Sequence, residues 1–224
     1  MSFHELFSDS EASQGRSYAI ANTLRDAIYR GLIQENEQLH QSQLADQLGV
    51  SPIPLREALK QLESEGLVRF QGRRGAVVTG LSLAEAREIY DMITWIECGV
   101  FRLAFPLLTK RLLDDEERLL QTMEAEPDVV VWRDLNAQFH ASLYEPADRP
   151  MTMDTLATLR RQVDRYIRVH LDSMRDESEK QHRRILQAAI KGDVEEAVAA
   201  LAEHLENTSK DLQAHMRNRR RSRR

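Results

Sequence analysis

The chain has 224 residues, of which 42% are hydrophobic and 30% charged, and a formal net charge of −5. This composition is ordinary for a globular protein, and the length suits two modest domains. One cysteine excludes an intrachain disulfide, and the polar N-terminus lacks the apolar segment of a secretory signal, so we expect a cytoplasmic protein. No stretch approaches the ~20 apolar residues of a membrane span, and we expect no membrane partner.

The first predicted helix follows a polar N-terminal segment. Residues 1–15 are expected to form a flexible arm. The helix is predicted from Ser17, a suitable N-cap, to about Gly31, a suitable stop, because apolar residues recur at helical spacing between them.

Two short helices are predicted next. The first ends at Gly49, and the second begins after Ser51 with Pro52 at its first helical position, where the missing N–H costs nothing. The second helix carries an apolar stripe and is expected to stop at Gly66. Two helices joined by a tight turn with glycine at the break indicate a helix-turn-helix motif.

A hairpin follows the second helix. Residues 67–70 and 76–79 are predicted strands, and residues 71–75 between them hold two glycines and, at the tip, Arg73 and Arg74. Helix, turn, helix and basic hairpin in this order predict a DNA-binding winged helix-turn-helix over residues 16–80.

The N-terminal end of a recognition helix enters the major groove and needs polar side chains on one face. Arg56 can donate to guanine O6 and N7, Ile53 can contact a thymine methyl, and Ser51 suits a phosphate. Taken singly, the helix could be a solvated face and the hairpin a plain turn. The candidate DNA-contacting residues are Ser51, Pro52, Ile53, Arg56, Lys60, Gly72, Arg73, Arg74 and Gly75.

From Ser82 onward the pattern is helical and interrupted at prolines and Gly192. Predicted helices cover residues 82–108, 110–125, 128–145, 150–172, 176–191 and 193–216. The expected fold class is therefore mostly α, a winged helix-turn-helix followed by an all-α antiparallel helical bundle over residues 81–216. Residues 217–224 form a basic tail, expected to be a disordered, solubilising end, with nonspecific phosphate contacts as the alternative.

Asn136 and His140 are four residues apart and share a helix face, and His182 and His204 lie on later amphipathic helices. Three imidazoles and an oxygen ligand suit Zn, Ni or another borderline metal. The alternative is that the histidines are polar groups of separate helices that do not converge.

Residues 49–59, 62–68 and 72–78 (GVSPIPLREAL, LESEGLV and GRRGAVV) resemble the winged helix of GntR-type bacterial regulators. The resemblance covers residues 17–80 and implies binding to double-stranded operator DNA. Pro52 stands where many members carry a DNA-contacting arginine, and polar residues 41–43 stand where another basic contact often lies. Both departures imply an altered base preference or weaker binding.

Residues 82–215 resemble the helical effector domain of the FadR subfamily, the FCD domain. The metal-binding members carry an Asp-x-x-x-His pair and two later histidines, and the matching positions here are Asn136, His140, His182 and His204. The resemblance implies a divalent metal ion, Zn or Ni, which the neutral amide of Asn136 would hold less tightly than a carboxylate.

The resemblance also implies a small-molecule effector. Ile93 stands where members often carry an arginine four residues before the glutamate that Glu97 matches, which indicates a different ligand preference. The candidate effector-pocket residues are Ile93, Ile96, Arg165 and Tyr166.

We therefore predict a ligand-responsive transcription regulator that binds a palindromic operator as a homodimer, with its effector in the helical domain and no catalytic residues. The alternative is a metal-dependent enzyme in which the histidine cluster activates water and Glu179 or Glu203 acts as general base.

Overall fold

The structure is a computed structural model. It describes the backbone of residues 3–29, 32–72, 75–167 and 171–221, and the side chains of those ranges except 3–14, 165, 171–173 and 219–221. The chain separates into two compact units, Met1–Leu81 and Ser82–Arg224, each with its own buried core.

The N-terminal unit contains three helices and three short strands in its described residues. In chain order they are α1 (Phe3–Tyr29), β1 (Gln38–Leu39), α2 (Gln41–Leu48), α3 (Pro52–Ser64), β2 (Val68–Phe70) and β3 (Ala76–Val78).

Helix α1 begins at Phe3 and not at the predicted Ser17, so the segment expected to be a flexible arm is helical from Phe3. Residues 3–15 contain no proline, and Gly15 costs only about 1 kcal/mol relative to alanine, so the helix continues through this segment.

The predicted helix-turn-helix is confirmed. Gly49 ends α2 in the left-handed region, at φ 65° and ψ 34°, where glycine has no Cβ penalty. Ser51 is the extended N-cap of α3, and Pro52 is its first residue. Helix α3 ends at Ser64, with Glu65 as its C-cap, two residues before the predicted stop at Gly66.

The three strands form an antiparallel sheet in the order β1-β3-β2. The predicted hairpin is present, with Phe70 opposite Ala76 and Val68 opposite Val78. Strand β1 was predicted as loop, because a two-residue strand has no periodicity of its own. Its pairing with β3, Leu39 opposite Ala76, is a tertiary contact.

The core of the N-terminal unit lies between α1, α3 and the sheet. It is built from buried aliphatic side chains, among them Leu24, Leu55, Leu59 and Leu62. Arg25 of α1 closes its edge with a two-point ion pair to Glu65, at 2.8 Å from Nε and 2.6 Å from Nη2. Helix α3 is therefore anchored on one face, which leaves the other face to solvent.

The C-terminal unit is helical throughout its described residues. Its helices are α4 (Leu83–Ala104), α5 (Lys110–Ala125), α6 (Val129–Tyr144), α7 (Pro150–Ile167), α8 (Leu171–Lys191) and α9 (Val194–Arg221), with short 3₁₀ turns at Phe105–Leu107 and Glu145–Ala147. The capping box at Ser82 and Glu85 is present. The mostly α fold class is confirmed.

Two boundaries differ from the prediction. The break predicted between residues 172 and 176 is absent, because α8 is helical from Leu171 onward. No proline or glycine stands there to interrupt a helix. Helix α9 continues to Arg221, into the predicted basic tail, because arginine is a good helix former.

Helix α9 packs against α4 and α8, α5 packs against α6 and α8, and α7 packs against α4. The largest fully buried side chains here include Trp132, Phe139 and Tyr144 of α6 and Phe101 of α4. None of the helices in the described ranges combines the length and apolar content needed to cross a membrane.

Candidate functional sites

Helix α3 presents its candidate DNA contacts to solvent. Leu55, Ala58, Leu59 and Leu62 are fully buried. The opposite face exposes the five residues predicted from the helix and its cap, which are Ser51, Pro52, Ile53, Arg56 and Lys60. The Ser51 side chain makes no capping hydrogen bond, so its hydroxyl is not engaged at the helix end.

The two basic residues of this face differ in their contacts. The Nζ atom of Lys60 lies 2.9 Å from Glu57 Oε1. Arg56 is exposed, and no hydrogen bond or ion pair joins it to the described residues. Arg56 instead borders a concavity of about 790 Å³, lined by Gln38, His40, Gln41, Ser42, Arg56, Phe70, Gly72 and Gly75. Helices α2 and α3 and the hairpin thus share one concave surface.

The hairpin depends on its glycines. Gly72 has φ 54° and Gly75 has φ 98°, and the Gln71 amide donates to the Gly75 carbonyl at 2.9 Å. A Cβ on Gly75 would overlap the backbone oxygen of Leu39. Arg73 and Arg74, the predicted wing contacts, lie outside the described residues.

The three predicted histidine ligands converge in the C-terminal unit. Helix α6 supplies His140, α8 supplies His182 and α9 supplies His204, and all three are buried. One ring nitrogen of each lies within 4.8 Å of those of the other two. Asn136, one turn before His140, lines the cavity that His140 and His204 also line.

The chemistry of this triad fits a metal ion. Both ring nitrogens of His182 are buried without a hydrogen-bond partner among the described residues, and such unpaired polar atoms are costly unless something binds them. Burial lowers the pKa of His140 and His182 well below the usual value and that of His204 to about 3. The imidazoles are therefore neutral near pH 7, the form that binds metals.

A network of hydrogen bonds that the sequence did not predict surrounds the triad. Glu97 of α4 is fully buried and accepts from Arg160 Nε at 2.9 Å and from the Tyr144 hydroxyl at 2.6 Å. Tyr144 Oη is also 3.3 Å from His140 Nδ1. Tyr144 lies one helical turn after His140, a spacing that could have indicated the contact, whereas Arg160 has no such local signal.

A cavity of about 350 Å³ adjoins the triad. Among the predicted effector-pocket residues Ile93 lines it, whereas Ile96 and Tyr166 do not, and the Arg165 side chain lies outside the described residues. Ile96 and Tyr166 occupy other positions around their helices. Polar lining residues that the sequence analysis did not name include Arg133, Arg160, Arg161, Asp164, Ser178 and Thr208.

The two glutamates considered as general bases are engaged elsewhere. Glu179 accepts from Trp132 Nε1 at 2.9 Å and from Arg175 Nε at 2.7 Å. Glu203 pairs with Arg184 at 2.5 Å on an exposed face. This arrangement gives no support to water activation by either glutamate.

Comparison with known families finds two matches that together span both units. Residues 16–78 match the model described as bacterial regulatory proteins, gntR family, and residues 88–207 match the FCD domain.

Curated relatives carry regulator names. An uncharacterised HTH-type transcriptional regulator of Agrobacterium vitis is 32% identical over 146 residues, which cover 62% of this chain and 85% of the relative. The gluconate operon transcriptional repressor of Bacillus subtilis (strain 168) is 37% identical over 115 residues, 51% of this chain. That match spans only 46% of the repressor.

Among solved structures, a GntR-family transcriptional regulator of Pseudomonas syringae pv. tomato str. DC3000 is similar over 93% of this chain and 89% of its own. The two are 31% identical, with a TM-score of 0.58.

Proposed function

Because the chain belongs to the GntR family of bacterial regulatory proteins and carries an FCD domain, we propose that it binds a palindromic operator as a homodimer. We further propose that a small anionic effector changes its affinity for this operator. It is a transcription regulator and not an enzyme. We assign DNA binding to residues 16–80, and effector binding and dimerisation to residues 81–216. We propose that the protein acts in the cytoplasm.

The observation that carries the DNA-binding proposal is the exposed face of α3. Arg56 projects from it without a partner among the described residues, next to the concavity that α2 and the hairpin border. An unpaired guanidinium on a recognition helix is free to donate two hydrogen bonds to one guanine. Ser51 and the N-terminal end of α3 suit a phosphate oxygen.

Two copies are needed to read a palindrome. Two recognition helices bind successive major grooves about 34 Å apart when the subunits are related by a two-fold axis. The relatives named as repressors suggest that this chain too acts by repression.

The metal proposal rests on the buried triad. His140, His182 and His204 would supply nitrogen ligands to Zn²⁺ or Ni²⁺, and Asn136 an oxygen ligand. A bound ion would add a positive charge and a Lewis acid at the wall of the cavity. The unpartnered nitrogens of His182 supply the independent support.

The effector proposal rests on the adjoining cavity. Its volume of about 350 Å³ is that of a small metabolite site, and three arginines line it against one aspartate, Asp164. Arg160 borders the same cavity as Ile93, from α7, with its guanidinium paired to Glu97. An anion therefore fits this lining better than a neutral or cationic ligand.

The test begins with the operator. Selection of duplexes by the full chain from a randomised library should enrich one palindromic sequence, whose affinity is then measured with and without Zn²⁺ and a panel of small carboxylates and phosphates. Ligands act on regulation only if they bind the DNA-competent and incompetent states with different affinity. Failure to enrich any sequence would contradict the DNA-binding proposal.

The anion preference has its own test. Small carboxylates or phosphates should raise the melting temperature of the full chain, and their neutral amides or alcohols should not. Equal stabilisation by the neutral compounds would contradict it.

A further inference from the structure

The three histidines of the triad differ in what their Nδ1 atoms contact. His204 Nδ1 lies 2.8 Å from Gln181 Oε1, and His140 Nδ1 lies 3.3 Å from Tyr144 Oη. Neither nitrogen of His182 has a partner among the described residues. A neutral imidazole carries its proton on one nitrogen and a lone pair on the other, so a partner at Nδ1 decides which nitrogen can bind a metal.

For His204 the orientation of the Gln181 amide settles the proton. Gln181 Nε2 donates to Glu177 Oε1 at 3.3 Å, one turn earlier on α8, which leaves the amide oxygen facing His204. A carbonyl oxygen only accepts. His204 therefore donates from Nδ1, and its lone pair is on Nε2.

For His140 the single hydroxyl proton of Tyr144 is decisive. Tyr144 donates it to Glu97 Oε2 at 2.6 Å, so the hydroxyl offers only a lone pair to His140. His140 Nδ1 then carries the proton. The negative charge on the same Glu97 oxygen, 4.0 Å from Nδ1, also stabilises a proton at that nitrogen. Its lone pair is likewise on Nε2.

We propose that Tyr144 and Gln181 are positioning residues that commit His140 and His204 to bind a metal through Nε2 before any metal arrives. The inference rests on the proposed metal site. Each positioning residue is in turn held by a glutamate: Tyr144 donates to Glu97, and Gln181 donates to Glu177. Outer partners of this kind hold the tautomer and ring orientation of metal-binding histidines, and their loss typically costs about 10–100-fold in metal affinity.

The tautomers can be measured without metal. Nitrogen-15 NMR of the full, metal-free chain labelled at histidine distinguishes protonated from unprotonated ring nitrogens. His140 and His204 should each carry the proton on Nδ1. A proton on Nε2 of either ring would overturn the assignment for that ring, whatever the metal affinity.

Substitution of Gln181 tests its role. Gln181→Met keeps the size of the side chain but removes the acceptor, so the His204 tautomer should redistribute and Zn²⁺ affinity should fall by about 10–100-fold. Gln187→Met, at an exposed glutamine of the same helix, is the matched control and should leave both unchanged. Gln181→Glu restores an acceptor and should restore the Nδ1 proton.

Tyr144→Phe tests the second chain of hydrogen bonds. It should alter the tautomer of His140 and weaken Zn²⁺ binding while the His204 signals stay as in the wild type. Gln181→Met should instead alter the His204 tautomer, leave the His140 signals unchanged, and likewise weaken Zn²⁺ binding. Unchanged tautomers and Zn²⁺ affinity in both variants would overturn the inference. If the wild-type chain showed the expected tautomers but bound no Zn²⁺, the metal site itself would be contradicted, and with it the role of the two residues toward a metal.

Discussion

Arg56 and Lys60 lie one helical turn apart on the exposed face of α3, yet only Lys60 has a partner, Glu57, among the described residues. A base contact by Lys60 must first replace that pair, whereas Arg56 has no hydrogen bond with the described residues to give up. We therefore expect sequence recognition on this face to depend chiefly on Arg56.

Arg56→Ala should lower operator affinity by about 1–3 kcal/mol and relax selectivity at one base position, because a two-point contact to guanine is lost. Fluorescence anisotropy with the selected operator and with single-base variants measures both effects. Arg111→Ala removes the same charge from an exposed site on α5 and should have neither effect. Equal weakening on operator and random DNA would instead make Arg56 a phosphate contact.

For single residues, a role that depends on neighbouring positions in the chain is easier to infer from sequence than a contact with a distant position. Gly49, Ser51 and Pro52 each carry a local conformational signal, and all three hold the predicted roles. The Glu97–Arg160 contact joins positions 63 residues apart and has no such signal. The histidine ligands could be proposed from sequence, but their hydrogen-bond partners required the packed helices.

Among the elements, the short strand β1 depends on the hairpin beside it. The Leu39 carbonyl lies against Gly75, where no Cβ fits, and β1 pairs with β3 through Leu39 and Ala76. Glycine at position 75 thus serves both the turn and the approach of β1. The sequence predicted the first role from the hairpin pattern and could not predict the second, because β1 itself was not expected.

Gly75→Ala should destabilise the N-terminal unit more than Gly72→Ala. Alanine at positive φ costs about 1–2 kcal/mol at either position, but only at Gly75 does the new Cβ also overlap backbone. Chemical denaturation measures the loss, and amide exchange at Val78, which donates to Glu37 beside β1, should accelerate in Gly75→Ala alone. Equal effects of the two variants would show that the close approach carries no cost.

Helix α5 buries a carboxyl group against α6. Glu116 is 4% exposed, and it accepts from the Ser142 hydroxyl at 2.6 Å through Oε1, while Oε2 has no partner among the described residues. Burial raises its pKa from 4.5 to about 7, with a further contribution from Asp115 and an opposing one from the Ser142 hydrogen bond. The folded chain therefore holds this proton more tightly than the unfolded chain.

The resulting stability is fully present below about pH 4.5 and is lost as pH rises through about 7. Glu116→Gln removes the buried charge, so its melting temperature should exceed that of the wild type by about 2–4 °C above pH 7, the shift for about 1 kcal/mol in a chain of this size. The difference should shrink toward pH 5. Glu117→Gln, at the exposed neighbouring position, is the control, and a pH-independent difference would contradict the assignment to Glu116.

On the scale of the whole molecule, the two candidate sites lie in separate units. The triad lies wholly within Ser82–Arg224, and the helix-turn-helix lies wholly within Met1–Leu81. Any influence of an effector on operator affinity must be matched by an equal influence of operator on effector affinity, because coupling free energies are reciprocal. Because the triad lies outside the unit that holds the helix-turn-helix, we expect a substitution in the triad to remove any response to effector while operator binding itself stays intact.

His182→Ala should separate these properties. It removes the one histidine of the triad whose two nitrogens are both without a partner among the described residues, so the variant should bind Zn²⁺ or Ni²⁺ far more weakly than the wild type. In the wild type, metal at a hundredfold excess over its Kd should stabilise the fold by about 2.7 kcal/mol, and this gain should vanish in the variant.

Metal analysis measures the bound metal, and thermal melting with and without Zn²⁺ measures the stabilisation. Anisotropy should show unchanged affinity for the operator in the absence of effector. His215→Ala, at a half-buried position of α9 outside the triad, should behave as the wild type. A wild-type chain that melts at the same temperature with and without Zn²⁺ would make the three histidines polar lining of the cavity and not metal ligands.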